Sequence, residues 1–285
     1  MFRLRHHPTD REILAEKLDT ERAGIKLGLE IMIEQSEPRP LGANIESAIR
    51  IAGALAVLDP GADELCTALR MASATSAGLF RLMLSAKGES SISFGDGRRA
   101  MVRNTGVTSE THVGTWHTGF YLACIVRDAA ALDELARTPV DALRRSSTTA
   151  DDCMFLWVEA LQAWHKDEAG AVAKLQAAID ATDIEEHEIE FEDYVLNMLV
   201  PQMQLLFRLI THEVGPFNES LQFALERHKK YWSSAKQKRS PMGFLALAPL
   251  AFASLAHDAG LAIEVESDYL PGHLVGGDCR AGSAP

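Results

Sequence analysis

Eight carboxylates fall within the 14 residues from Asp180 to Asp193: Asp180, Asp183, Glu185, Glu186, Glu188, Glu190, Glu192 and Asp193. Acids at this density have three common uses. They form a solvated face leading into a helix, whose positive N-terminal end favours negative charge. They offer a docking surface to a basic protein, which their field draws in. They can also gather oxygens around a divalent cation, although nothing in the stretch Ile189–Asp193 fixes such a geometry. The solvated face is the usual fate of a charge run. Among functional readings docking is favoured, and it assigns partner binding to Glu185, Glu186, Glu188, Glu190, Glu192 and Asp193.

Other constellations fall short of the chemistry they suggest. His187-Glu188 begins the pattern of a zinc-binding helix, but Phe191 stands where the second imidazole is needed. His212-Glu213 fails in the same way, and His112 and His117 are poorly spaced for one helix face. The stretch "FGDGRRA" at 94–100 fits a dinucleotide fingerprint in letters only. That motif needs a strand before it and a helix at its glycines, whereas "MVRN" after it is strand-like, so a hairpin turn is favoured. No nucleophile elbow, phosphate loop or kinase signature occurs. The residues therefore require no catalysis, no cofactor and no metal.

The elements that must position the acids are mostly helices. Thr9-x-x-Glu12 reads as a capping box, and Leu14, Leu18, Ile25, Leu29 and Met32 then share one helical face. A second helix is predicted from about Asn44 to Leu58, and Asp59-Pro60 should start a third. Asp96-Gly97 predicts a two-residue hairpin turn near residues 91–103. Thr149-x-x-Asp152 and Asp167 open two helices joined by a short connection, with Trp157, Leu161, Trp164, Ala173 and Ala177 loosely tetratricopeptide-like. Phe191, Val195, Leu199, Met203, Leu206 and Ile210 share a face of a long helix that Pro201 should kink. Asn218 is placed to cap the next helix, which carries Lys229 and Lys230 in its last turn. Ser240 through Ala256 is 17 residues without a charge. It is too short, too rich in Ala and too interrupted by Pro249 to cross a bilayer, so it reads as one central core helix.

The fold expected is mainly α: a multi-helix bundle or stacked helical hairpins, partly tetratricopeptide-like, with one small β-hairpin. One domain is expected over 1–275, with a disordered tail over 276–285. The 285 residues carry 28 Lys and Arg against 40 Asp and Glu, a formal net charge of −12. That balance argues against nucleic acid and anionic membrane as partners and suits a basic protein partner. The N-terminus lacks the apolar core of a secretory signal. Cys66, Cys124, Cys153 and Cys279 lie far apart without a C-x-x-C pair, which predicts no disulfide framework and a reducing cytoplasm.

Three C-terminal stretches add a likeness. "HKKYW" (His228–Trp232), "GFLALAPLAFASLAHDAG" (Gly243–Gly260) and "IEVESDYLPGHLV" (Ile263–Val275) resemble the immunity protein 49 family, with "VESDYLP" the most specific part. "DYVLNMLVPQMQLL" (Asp193–Leu206) is also similar to it, whereas the N-terminal half matches only in helical character. The resemblance implies a largely α-helical, non-enzymatic, cytoplasmic protein that binds and neutralises a cognate bacterial polymorphic toxin. Its charge suits a basic, nuclease-type toxin, and the protein would act as a monomer or homodimer. No functional residues carry over from the family. A helical scaffold or adaptor is the alternative reading, and a metal-dependent enzyme the lesser one.

Overall fold

A computed structural model describes residues 2–183 and 189–280, apart from the side chains of Ile189 and Glu190. It is mainly α-helical. In order, the chain forms β1 (Arg3–Leu4), α1 (Arg11–Gln35), α2 (Leu41–Leu58), α3 (Asp63–Leu84), β2 (Glu89–Ser93), β3 (Arg99–Arg103), α4 (Val113–Ile125), α5 (Ala129–Ala136) and α6 (Val140–Arg144). It continues through α7 (Asp152–His165), α8 (Ala171–Asp180), α9 (Ile189–Tyr194), a π-helical turn (Val195–Leu199), α10 (Val200–Thr211) and α11 (Val214–Trp232). A 3₁₀ turn (Pro241–Phe244), α12 (Leu247–Asp258), β4 (Glu266–Ser267) and α13 (Gly272–Gly276) complete it.

The predicted face of α1 is buried: Leu14, Leu18, Ile25, Leu29 and Met32 all enter the core. Its cap is shifted by one residue from the expected box. Asp10, in extended conformation, accepts from the Glu12 and Ile13 amides through Oδ1, at 2.9 and 3.3 Å. A carboxylate offers the orphan amides a charged acceptor, which the Thr9 hydroxyl does not. α3 also starts later than expected, because Asp59 to Ala62 form a turn in which the Ala62 amide donates to the Asp59 carbonyl at 3.1 Å.

Among the described residues, α2 is the helix long and apolar enough to cross a membrane, with a mean hydropathy of 1.4 over 18 residues, yet 72% of it is buried. It is a core helix against α1 and α3. The uncharged run after Ser240 is not the single helix expected. Leu245 is extended (φ −120°, ψ 125°), separating the 3₁₀ turn from α12. Pro249 therefore lies in the first turn of α12, where its missing N–H leaves no hydrogen bond unmade. Gly53 of α2 allows the 3₁₀ turn to sit directly upon it: a Cβ there would lie 2.0 Å from the Pro241 carbonyl oxygen.

β2 and β3 form the expected antiparallel hairpin, from Glu89 opposite Arg103 to Ser93 opposite Arg99. Its loop is longer than two residues. The Phe94 amide donates to the Arg98 carbonyl at 3.0 Å around Gly95 (φ 73°), Asp96 and Gly97 (φ 89°). Two residues with positive φ in one short loop explain the glycines without a nucleotide.

The N-terminal arm closes the fold over a long sequence distance. β1 pairs in parallel with β4, Arg3 opposite Glu266. Nearby, the His7 amide donates to the Tyr269 hydroxyl at 2.7 Å. Tyr269 and Leu270, of the "VESDYLP" element, pack into the core. Asn218 does not cap a helix. It lies inside α11, where its Nδ2 donates to the carbonyls of Val214 and Ala262 at 2.9 Å each. Its Oδ1 accepts from the Glu264 amide at 2.7 Å, so one buried amide fastens α11 to the strand leading into β4. Cysteine usage also departs from expectation. Cys66 and Cys279 form a disulfide with Cα atoms 4.9 Å apart, and Cys279 is fully buried.

Candidate functional site

Of the acids of the run, Asp180 ends α8, Asp183 follows it, and Glu190, Glu192 and Asp193 belong to α9. Glu185, Glu186 and Glu188 lie outside the described residues, and only the backbone of Glu190 is described, in α9. Glu192 is half-buried and Asp193 exposed. Asp193 is also tied into the next element: its carbonyl and its Oδ1 both accept from the Asn197 Nδ2, each at 2.8 Å.

Asn197 sits in the π-helical turn, and that turn answers the proline. A proline inside an α-helix removes one amide donor and clashes with the carbonyl four residues back. Here Val195–Leu199 widen to π geometry immediately before Val200-Pro201, so that Pro201 occupies the first turn of α10. The extra residue keeps Val195, Leu199, Met203 and Leu206 all fully buried across the irregularity. The helix is reset rather than simply kinked.

α10 is held to the rest by a buried polar chain. The Trp157 Nε1–H of α7 donates to the Tyr121 hydroxyl of α4 at 2.7 Å. That hydroxyl donates to Gln202 Oε1 of α10, also at 2.7 Å. Burial pushes the Tyr121 phenol well above its ordinary pKa, so it stays protonated and can donate. Each group in the chain finds a partner, which makes its geometry costly to change.

Between the α7–α8 hairpin, α10 and α12 lies a groove of about 420 Å³. Its floor is apolar, with Trp164, Leu209, Ile210 and Leu255, and Val172 stands half-exposed in its wall. Asp167 and Glu168 form an acidic edge. Glu168 pairs with Lys174 at 3.2 Å, both side chains being well exposed, so the pair adds little to stability.

Asp167 is placed by the way α7 ends. The Asp167 amide donates to the Trp164 carbonyl at 3.1 Å and the Glu168 amide to the Ala163 carbonyl at 2.9 Å. This is a Schellman closure, which needs a left-handed residue and usually takes glycine. Here it takes Asp167 at φ 55°. α12 ends in the same way with Gly260 at φ 82°. α4 does so with Arg127 at φ 52°, and the Arg127 guanidinium repays the strain. It donates to the carbonyls of Ile125, Leu274 and Val275 at 2.7, 2.8 and 2.5 Å, and to Asp258 Oδ2 at 3.0 Å. The Asp167 carboxylate has no such partner among the described residues. Asp167 thus stands at the edge of the groove, strained, exposed and unpartnered among the described residues.

Among the described residues, no group of three or more His, Cys, Asp or Glu could hold a metal ion. The arrangement instead suits recognition: an apolar floor and an acidic edge. The acids of α9 stand apart from it, since the groove meets α10 at Leu209 and Ile210, near its far end. Sequence reasoning singled out the α9 acids by their density. It read Asp167 only as a helix start, because a lone aspartate between two helices looks like an ordinary cap.

No curated protein and no solved structure matches the chain. A family model described as immunity protein 49 matches residues 59–274. The match runs from the turn before α3 into α13, and so takes in the groove, the α9 acids, the π turn and the Tyr269 element. It extends the likeness from about the last fifty residues to most of the chain, and the chain belongs to the immunity protein 49 family.

Proposed function

We propose that this protein binds and neutralises a cognate polymorphic toxin, and that it does so with the acid-edged groove and the acids of Asp180–Asp193. Family membership supports an immunity-type role and implies a toxin partner in general. The observation that carries the proposed surface is Asp167, a strained and unpartnered carboxylate on the rim of an apolar groove. An apolar centre with charged edges is how stable protein interfaces are built. The chain's net charge of −12 favours a basic partner, such as a nuclease whose substrate cleft is lined by Lys and Arg. The protein would act in the cytoplasm without catalysis, by occupying the toxin. A reducing cytoplasm works against the Cys66–Cys279 disulfide that the structure forms.

Co-expression with the toxin encoded beside it tests this reading. The wild-type protein should restore growth, whereas Trp164→Asp with Asp167→Lys, which disrupts floor and edge together, should fail to do so while remaining folded and soluble. Full rescue by that double variant would remove the groove from the mechanism. Failure of the wild-type protein to rescue would remove the toxin.

A further inference from the structure

A second recess carries the opposite charge. From Arg227 to His257 the chain has six basic residues, Arg227, Lys229, Lys230, Lys236, Lys238 and Arg239, and no acid. The turn after α11 that holds the last three packs on the N-terminal arm and α1. The Lys17 ammonium donates to the Arg239 carbonyl, and Lys229 Nζ to the Arg5 carbonyl at 2.9 Å. Between them opens a cleft of about 1060 Å³, with Pro8 and Ile13 as apolar wall and Lys17, Lys238 and Arg239 as charge. None of these three cations forms an ion pair among the described residues. Asp10, also at the cleft, is engaged in capping α1. An acidic protein of net charge −12 thus keeps unpaired cations together at one recess.

His7 lines the cleft yet is only 2% exposed. The Tyr269 hydroxyl accepts from the His7 amide at 2.7 Å and lies 2.8 Å from His7 Nδ1. A hydroxyl has one proton to give, and Nδ1 is the acceptor beside it. The ring is neutral, because burial lowers its pKa to about 4. Nε2 has no partner among the described residues and is itself shut off from solvent, so the ring backs the recess without reaching into it.

We propose that this cleft is a docking site for an acidic segment of a partner protein, one whose carboxylates meet Lys17, Lys238 and Arg239 and whose aliphatic side chain rests on Pro8 and Ile13. Charge complementarity selects the sign of the ligand. The aliphatic wall selects a peptide over a nucleic acid, which would look for aromatic faces to stack its bases. The site goes beyond the toxin reading, because the groove attracts a basic surface and the cleft an acidic one.

The test uses the full-length protein and a short fluorescein-labelled peptide of glutamates interspersed with leucine, followed by fluorescence anisotropy at low salt. Controls are the same peptide with lysines in place of glutamates and a short oligothymidylate. The acidic peptide should bind saturably, lose affinity as salt rises, and lose roughly tenfold or more in K238E/R239E. Both changed side chains are exposed, so the variant should keep its fold. Ile13→Asp, also at an exposed position, should weaken binding independently. Absence of saturable binding up to about millimolar peptide would overturn the proposal, as would binding indifferent to K238E/R239E. So would tighter binding of the oligothymidylate at the same residues. None of these outcomes depends on the toxin, so failure here leaves the groove untouched.

Discussion

The groove and the cleft answer the same need in opposite ways. The groove between the α7–α8 hairpin, α10 and α12 has an apolar floor and carries its charge as carboxylates on its edge. The cleft beside α1 carries its charge as cations and is backed by histidines: His7 stacks on Phe244 with ring centroids 4.5 Å apart, and His228 meets Tyr269 edge-on at 5.0 Å. Behind the groove the buried polar groups of the Trp157–Tyr121–Gln202 chain are mutually satisfied. Behind the cleft, His7 Nε2 and His228 Nδ1 have no partners. One helical core thus presents opposite charge at two recesses. Unpartnered buried groups do not separate them, since Ser254 Oγ of α12, next to Leu255 of the groove, also lacks a partner among the described residues.

The largest expected contrast is in response to acid. Burial lowers the pKa of His7 and His228 to about 4, and that of His117 to about 3. These rings are neutral in the folded protein and free to charge when unfolded. Between about pH 6.5 and 4 the unfolded chain therefore binds more protons, and stability falls as pH falls through that window. For fully buried His228 the loss is of order 3 kcal/mol. Urea titrations from pH 7 to 4 should show this slope. His228→Gln, which keeps a donor for the Gly243 carbonyl now served by Nε2 at 2.9 Å, should flatten it. Hydrogen exchange should place the first acid-induced opening at the N-terminal arm and cleft. Opening that starts at the groove would break the contrast.

Next in size is Tyr121→Phe. It removes the hydroxyl that accepts from Trp157 and donates to Gln202, leaving both buried groups unsatisfied. A loss of about 2 kcal/mol is expected, with faster exchange in α10 and unchanged exchange around Tyr269. Equal loosening at both regions would mean that the chain braces the whole core rather than the groove.

The smallest effect is the sharpest in meaning. Asp167→Gly relieves a left-handed aspartate and should raise stability by up to about 1 kcal/mol. If that aspartate is there for a partner, the more stable variant will bind the toxin more weakly. A variant that is both more stable and fully protective would make Asp167 an accident of the turn.

Local patterns in the sequence foretold much of this fold. The buried face of α1, the β2–β3 hairpin and the helical α7–α8 pair follow from spacing and turn chemistry within a few residues. Proline positions were visible, but their consequences were not. Pro249 sets a helix start and Pro201 is absorbed by a π turn, because the chain adjusts its register to keep prolines in first turns. What stayed hidden spans the chain. The pairing of Arg3 with Glu266, the Cys66–Cys279 bond and the Asn218 tie to Glu264 each join distant residues. No periodicity records such contacts. The same holds for the sites: the density of α9 acids is legible, whereas the cleft exists only because the N-terminal arm returns to the turn after α11.

The acids of Asp180–Asp193 are proposed to draw in the toxin, and the cations of the cleft are not. Stopped-flow association of toxin with wild-type protein, measured across a salt series, tests this most directly. Reversing Glu185, Glu186, Glu188 and Glu190 to Lys should slow association at low salt by roughly tenfold or more and flatten its salt dependence, while K238E/R239E, which makes the protein more acidic, should not slow it. An unaltered rate and salt slope in the fourfold variant would contradict the account.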